Sequence, residues 1–201
     1  MIKSFKSFIS EEFEFLPKGP LVNISLPNPD RDLDAAVERL KELMEKRTAE
    51  DERSIRIHDE QPFYAIEQYC KKNGLEFHDG EMRDIIEQAL PTIMHFKKLF
   101  NLKRPFDHDK SIVPMSSTTN KTPAYPSGHA TQAMLVALYV SDKFPEHSGG
   151  VVEAAKECGY GRVLAGFHYL QDYTAGNLLA EKMGMFMNRK DNYGLKELDD
   201  A

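Results

Sequence analysis

Ala124-Tyr125-Pro126-Ser127-Gly128-His129 stands directly ahead of the apolar run Ala133 to Val140. The stretch reads as a turn that opens a helix, because Ser is a preferred helix cap and a Pro-Ser-Gly turn leaves the first backbone N–H groups free. The helix dipole favours negative charge at that end, so the turn suits an anion. His129 adds a group that gains or loses a proton near neutral pH. The same residues would serve equally as a capped helix start with a partly exposed histidine, so their meaning depends on what the rest of the chain brings near them.

Outward from that turn the chain reads as helix on both sides. From Asp32 onward, Ala36, Val37, Leu40, Leu43 and Met44 recur at helical spacing, which predicts an amphipathic helix ending near residue 52. A second helix is predicted over 59–73, starting at Asp59 and stopping at Asn73-Gly74. A third is predicted over 81–103, with Ile86, Leu90, Ile93 and Phe100 on one stripe and Pro91 imposing a kink or a junction of two helices. Residues 105–126 hold four prolines and no clear period, and a loop of that length is commonly functional. Helices follow at about 128–144, 149–165 and 168–188. The expected fold is all-α: a single-domain helical bundle over 31–190, an irregular N-terminal arm over 1–30 packed on its outside, and a charged tail over 191–201.

Composition narrows the function classes. The chain has 201 residues, enough for one sizeable core, and its 41% apolar and 29% charged shares are those of a globular protein. A net charge of −6 argues against a general nucleic-acid binder. Lys97, Lys98, Lys103, Arg104 and Lys110 nevertheless crowd one region, as a solvated face or a local basic pocket. The longest apolar run is eight residues, against about 20 for a bilayer span, so no membrane-spanning segment is expected. The first residues lack the pattern of a signal peptide, and Cys70 and Cys158 are lone thiols, so a cytoplasmic location is expected. No cluster has metal-ligand spacing.

Polar residues interrupt two apolar stripes. Lys97 follows Ile93 by four residues and precedes Phe100 by three, which puts an ammonium on the core-facing side. Arg104 is two turns further, just before Pro105, where it would reach in from the helix end. In the last predicted helix His168 and Asp172 share a stripe with Leu179, Met183 and Phe186. At i and i+4 the carboxylate can accept the imidazole N–H and fix its tautomer, either in a site or merely to satisfy a core histidine. Gly166 and Gly176 flank the pair, and helical glycine suggests a close backbone approach. Arg162 is a third cation in reach if the chain bends at Gly166. Burying such charges without anions is prohibitive, so a tetrahedral oxyanion from solution is the economical partner.

Three clusters taken together, Lys97-x6-Arg104-Pro105, then Pro126-Ser127-Gly128-His129, then Arg162-x5-His168-x3-Asp172, resemble the signature of the type 2 phosphatidic acid phosphatase superfamily. That superfamily includes bacterial class A non-specific acid phosphatases and the vanadium haloperoxidases. Phe100, Phe106, Gly166, Tyr169 and Gly176 resemble the family's surroundings as well, while Gly161 stands where the family usually has serine. The resemblance covers about residues 97–176.

It implies a helical bundle with the site between central helices, and a metal-independent phosphatase acting on phosphate monoesters. His168 would be the nucleophile, forming a phosphohistidine, with Asp172 holding its other ring nitrogen. His129 would protonate the leaving group and then activate water. Lys97, Arg104, Ser127, Gly128 and Arg162 would bind phosphate oxygens. The implied partners are a phosphorylated small molecule as substrate and inorganic phosphate or vanadate as inhibitor, with no nucleic acid; self-association into a homo-oligomer is compatible with this reading. The alternative is a vanadate-dependent haloperoxidase using the same cage, with vanadate as its cofactor, and a third reading is a phosphate-binding module without turnover.

Overall fold

The structure, a computed structural model, describes residues 13–188. The charged tail expected over 191–201 and the first twelve residues of the arm lie outside the described residues. Eight α-helices follow in order: α1 Asp34–Glu45, α2 Ala49–Glu60, α3 Tyr64–Asn73, α4 Asp79–Phe100, the single turn α5 Pro105–His108, α6 Gly128–Lys143, α7 Ser148–Leu164 and α8 Leu170–Gly184. A 3₁₀ turn, Pro145–His147, joins α6 to α7. Among the described residues there is no strand, so the fold is all-α.

Boundaries differ from the sequence reading where a cap outweighs the apolar period. The helix expected to run to residue 52 breaks after Glu45, and α2 starts afresh at Ala49 because Thr48 caps it. Thr48 Oγ1 accepts from the Asp51 N–H at 3.1 Å while the Asp51 carboxylate accepts from the Thr48 N–H at 2.7 Å. This reciprocal pair satisfies two donors that a helix start otherwise leaves open. Asp59 therefore sits in the last turn of α2, not at the start of the following helix. The helix α4 continues through Pro91 as one element, and its buried stripe is Met82, Ile85, Ala89, Ile93, Phe96, Lys97 and Phe100. Leu90, expected on that stripe, is exposed. The last helix begins at Leu170 and ends at Gly184, which leaves His168 before it and Phe186, expected on its apolar stripe, 45% exposed beyond it.

The apolar run after the Pro126-Ser127-Gly128 turn becomes the central element. Ala130, Ala133, Met134, Leu135, Val136, Ala137, Tyr139 and Val140 are all buried, so α6 is covered around most of its circumference, as a helix apolar on every side requires. It packs against α7, α8 and α4. The described part of the N-terminal arm runs over the outside along most of 17–30, as expected, but is anchored in the core at Phe15 and Leu16. Phe15 and Leu16 are fully buried, and Phe15 meets Tyr139 of α6 edge-on at 5.4 Å. Side chains of α4 hold the arm's backbone: the Leu16 N–H donates to Gln88 at 3.0 Å and the Leu21 N–H to Thr92 at 3.0 Å. Two large apolar residues at the arm's start are enough to pull it into the core.

At the N-terminal end of α6 the elements come closest. A Cβ on Gly176 of α8 would stand 2.6 Å from the Ser127 carbonyl oxygen and 2.9 Å from Ala130 Cβ. The Ser127 N–H donates to the Asp172 carbonyl at 2.9 Å, and Thr131 Oγ1 donates to the Gly176 carbonyl at 3.1 Å. The turn is thereby stapled to the first turns of α8. Alanine ordinarily stabilises a helix by about 1 kcal/mol over glycine. Gly176→Ala is expected to do the reverse, lowering stability by about 1–3 kcal/mol as overpacking does. An unchanged or raised midpoint in urea unfolding would contradict this close approach.

Candidate active site

The cations come from two ends of one segment. Lys97 is the core-facing residue of the last turn of α4, only 4% exposed, and its Nζ donates to the Pro123 carbonyl at 2.6 Å. The helix then ends at Asn101, whose positive φ of 45° turns the chain, so Arg104 is not on α4 but on the loop that starts α5. From there it is 4% exposed. Its Nε donates to the Thr122 carbonyl at 2.7 Å, and NH1 donates to the Phe167 carbonyl at 2.9 Å. The carbonyls of 122–123 thus turn inward and serve both cations, while the Ala124 N–H pins the same strip to the Leu102 carbonyl at 2.8 Å. Lys98, Lys103 and Lys110 of the basic cluster are exposed, the solvated face that such runs usually form.

Ser127 is the cap of α6: it is fully buried, and its Oγ accepts from the Ala130 N–H at 3.4 Å. Gly128 is the first helical residue, so its N–H belongs to the turn that no intrahelical carbonyl serves. It lies over α4, where an added Cβ would be 3.9 Å from Lys97 Cε. His129 is partly buried, and its Nε2 is 3.3 Å from the Asp59 carbonyl oxygen. The peptide bond between Tyr125 and Pro126 is cis.

His168 and Asp172 meet by a route other than helical stacking. After α7 the chain turns at Gly166, whose φ of 77° is one that L side chains rarely adopt, and His168 and Tyr169 lead into α8. Asp172 sits in the first turn of α8, where its Oδ2 accepts from the Tyr169 N–H at 2.9 Å and pairs with His168 Nδ1 at 3.2 Å. One carboxylate oxygen thereby caps the helix and orients the imidazole. On the other side of the ring, Arg104 NH1 lies 2.9 Å from Nε2. A guanidinium can only donate, so Nε2 presents its lone pair and Nδ1 carries the proton.

Arg162 is 1% exposed near the end of α7, and its guanidinium stacks over the Phe167 ring with 4.3 Å between its carbon and the ring centre. Sequence reasoning left it without a partner. The structure gives it Asp59, whose Oδ1 is 2.7 Å from NH1. Ser117 Oγ and Thr119 Oγ1, from the long loop, lie 3.2 and 3.1 Å from NH2. The Nε of Arg162 is buried without a hydrogen-bond partner. The same two hydroxyls donate to Asp59 at 2.6 and 3.1 Å. At Gly161, beside Arg162, an added Cβ would stand 3.1 Å from Ile55 of α2, so the serine usual in the family would require Ile55 to shift by a few tenths of an ångström.

All eight residues singled out in the sequence converge, and their ionisation reports the crowding. Burial and then the Arg104 charge push the Lys97 ammonium down to about 7. Burial pushes His129 down to about 3, helped by Arg162 and Lys97, against a raising contribution from Asp59. Burial, then Arg104, Lys97, Arg162 and His129, hold His168 well below its ordinary value, so it is a neutral imidazole. Burial raises the Asp172 carboxyl, opposed by the Tyr169 N–H and the two nearby cations. Burial also raises Asp59, yet the Ser117 hydroxyl and Arg162 outweigh it and leave that carboxyl below its usual value.

The chain is similar to known proteins over part of its length. An acid phosphatase of Zymomonas mobilis subsp. mobilis is 32% identical over 106 residues, which is 49% of this chain and 40% of that protein. A non-specific acid phosphatase of Salmonella typhimurium is 34% identical over 83 residues, 40% of this chain and 33% of that protein. A third, from Providencia stuartii, is 33% identical over 61 residues, 30% of this chain and 25% of that protein. The chain thus spans well under half the length of the curated relatives it matches. Among the described residues no helix is long and apolar enough to cross a membrane. The segment from residue 85 to residue 193, over half of the chain and including all eight residues singled out in the sequence, matches the PAP2 superfamily, and the chain belongs to that superfamily.

Proposed function

We propose that this chain hydrolyses phosphate monoesters of small molecules through a phosphohistidine on His168. The observation that carries the reading is the state of that imidazole: neutral, its Nδ1 proton held by a buried carboxylate, and its Nε2 lone pair aimed at a guanidinium 2.9 Å away. A phosphoryl group bound by Arg104 lies in front of that lone pair. Nε2 attacks phosphorus, the ester P–O bond breaks, and His129 gives its proton to the departing alkoxide. Water then attacks the phosphohistidine as His129 takes a proton from it; the P–N bond breaks and inorganic phosphate leaves. Asp172 steadies the positive charge that the ring acquires between the two steps.

Lys97, Arg104, Arg162, Ser127 and the Gly128 N–H hold the non-bridging oxygens. Phosphoryl transfer gains most from such positioning and charge stabilisation. The cage draws on cations, a hydroxyl and a backbone N–H, so the reaction as proposed needs no metal. An arriving phosphate also resets the cage's protonation. Its negative charge raises Lys97 and His129 from the low values their neighbours impose, which readies His129 to serve as an acid. The names of the matched relatives, all acid phosphatases, support this reading. No observation favours the haloperoxidase alternative, and vanadate is placed here as a competitive inhibitor. Two buried free thiols, Cys70 and Cys158, suit a reducing compartment such as the cytoplasm.

Purified protein is expected to release p-nitrophenol from p-nitrophenyl phosphate between about pH 4 and 7. His168→Ala is expected to abolish turnover, and Arg104→Ala to lower kcat by about 10²–10³-fold, as loss of an oxyanion donor does. Acid-labile phosphate should be trapped on the wild type and not on His168→Ala. No turnover at any pH, together with tight phosphate binding, would replace the enzyme with a binding module; vanadate-dependent bromination of a dye would replace it with a haloperoxidase.

Phosphate binding should also take up protons. Lys97 sits at about 7 without the anion and rises with it, so at pH 7–8 the complex binds a proton that the free protein lacks. Calorimetric titration of inorganic phosphate in buffers of different ionisation enthalpy measures that uptake. By the same sign kcat/KM falls as pH climbs past about 7 and Lys97 loses its charge. Zero proton exchange at pH 7.5 would show that Lys97 does not face the phosphate.

A further inference from the structure

Asp59 has no part in the chemistry above, yet it touches two of its members from one position in the last turn of α2. Its carboxylate pairs with Arg162 NH1 at 2.7 Å, and its backbone carbonyl lies 3.3 Å from His129 Nε2. The carboxylate is well held: Ser117 Oγ donates at 2.6 Å, Thr119 Oγ1 at 3.1 Å and the Thr118 N–H at 3.4 Å. Its side chain is 12% exposed, and that of Arg162 is 2% exposed.

We infer that Asp59 is a positioning residue that ties the phosphate-binding Arg162 to the leaving-group acid His129. The carboxylate, with Ser117 and Thr119, grips the NH1 and NH2 groups of the guanidinium. That leaves the buried and otherwise unpartnered Nε–H for a phosphate oxygen. The carbonyl of the same residue fixes the ring of His129. A substrate oxyanion competing with Asp59 for Arg162 is the other reading of the contact. It would break a pair held by four donors and strand two buried charges in every cycle, so the pair persists through turnover.

Charge gives the role a signature that mere packing lacks. The groups that bear on His129 are Arg162 from α7, Lys97 from α4 and Asp59 from α2, with His168 ahead of α8 in the same field. The two cations lower its proton affinity, and Asp59 raises it both by charge and through its carbonyl. Removing the Asp59 charge therefore shifts His129 to lower pH.

The inference rests on the phosphatase reading, and its test separates the two. In the full chain, Asp59→Asn is expected to lower kcat toward p-nitrophenyl phosphate by about tenfold or more, with a smaller change in KM. The alkaline limb of its kcat profile should move to lower pH. Asp59→Glu, which keeps the charge, is expected to restore that limb, and thermal unfolding reports whether each variant is folded. The role is overturned if Asp59→Asn matches wild type in kcat and pH profile, or if Asp59→Glu behaves as the Asn variant does. It is overturned too if the inhibition constant of inorganic phosphate falls more than tenfold with kcat unchanged, since Asp59 would then be a competitor. A wild type without turnover sinks the phosphatase reading alone. The NMR titration of His129 in the presence of inorganic phosphate then decides the role of Asp59: a shift to lower pH in Asp59→Asn upholds it, and an unmoved titration overturns it.

Discussion

Three cations, Lys97, Arg104 and Arg162, are buried to within 4% exposure in a small apolar helical bundle, and the rest of the structure is arranged around that constraint. A buried charge without compensation costs several kcal/mol, a large part of the net stability of any domain of this size. The bundle meets the demand from within by two different means. Backbone carbonyls at 122, 123 and 167 turn toward Lys97 and Arg104, and a carboxylate from α2 meets Arg162. Carbonyl dipoles hold a cation without cancelling its charge, and Asp172 offsets Lys97 and Arg104 through space. Asp59 pairs directly with the cation it meets. The cage is therefore uneven, with its carbonyl-held cations next to His168 and its carboxylate-paired cation bearing most on His129.

That unevenness matches the division of labour proposed for the two imidazoles. His168 has to present a lone pair, and burial first, then Arg104, Lys97 and Arg162, keep it unprotonated. His129 has to carry a proton at the moment the leaving group departs, and the carboxylate nearest to it opposes the cations that would strip it. Burial and the cations push both imidazoles down, and they differ in the carbonyl and carboxylate of Asp59, which oppose that shift at His129.

Much of this was legible in the sequence, and the limits were physical. The apolar periods gave the all-α bundle and placed α6 and α7 almost to the residue, because Pro145 separates them and Gly166 follows the second. Spacing and resemblance single out eight candidate site residues, and the structure brings them together. What the period could not show was chain direction at caps. The helix expected to end near residue 52 hid the Thr48-x-x-Asp51 box that restarts it, so Asp59 was read as the start of a helix when it stands at the end of one. A carboxylate in the last turn of a helix faces the negative end of the dipole. That misfit is the signal that could have marked Asp59 as engaged elsewhere. His168 and Asp172 were paired correctly for the wrong reason, since a capping contact at i+3 from Tyr169 brings them together and His168 precedes the helix. Long-range partners such as Ser117 and Thr119 left no periodic trace, because a loop without a period carries no information about what it covers.

The direction of the ionisation shifts argues for what the cage is built to receive. Burial lowers Lys97, Arg104, Arg162, His129 and His168 together, and repulsion from neighbouring cations adds to it at all of them but Arg162, so every basic group of the site is poised to gain proton affinity from one added negative charge. A monovalent anion would relieve part of that, but the donors stand on four separate elements: α4, the loop before α5, the start of α6, and α7. Their separation calls for a ligand with several oxygens presented in different directions. A helix N-terminus with a buried serine cap adds neutral donors between the cations, which fits an oxyanion better than a halide because hydrogen bonds to oxygen are directional. Tetrahedral geometry and multiple charge are the two properties a phosphoryl group brings, and they match the spread of donors around the site.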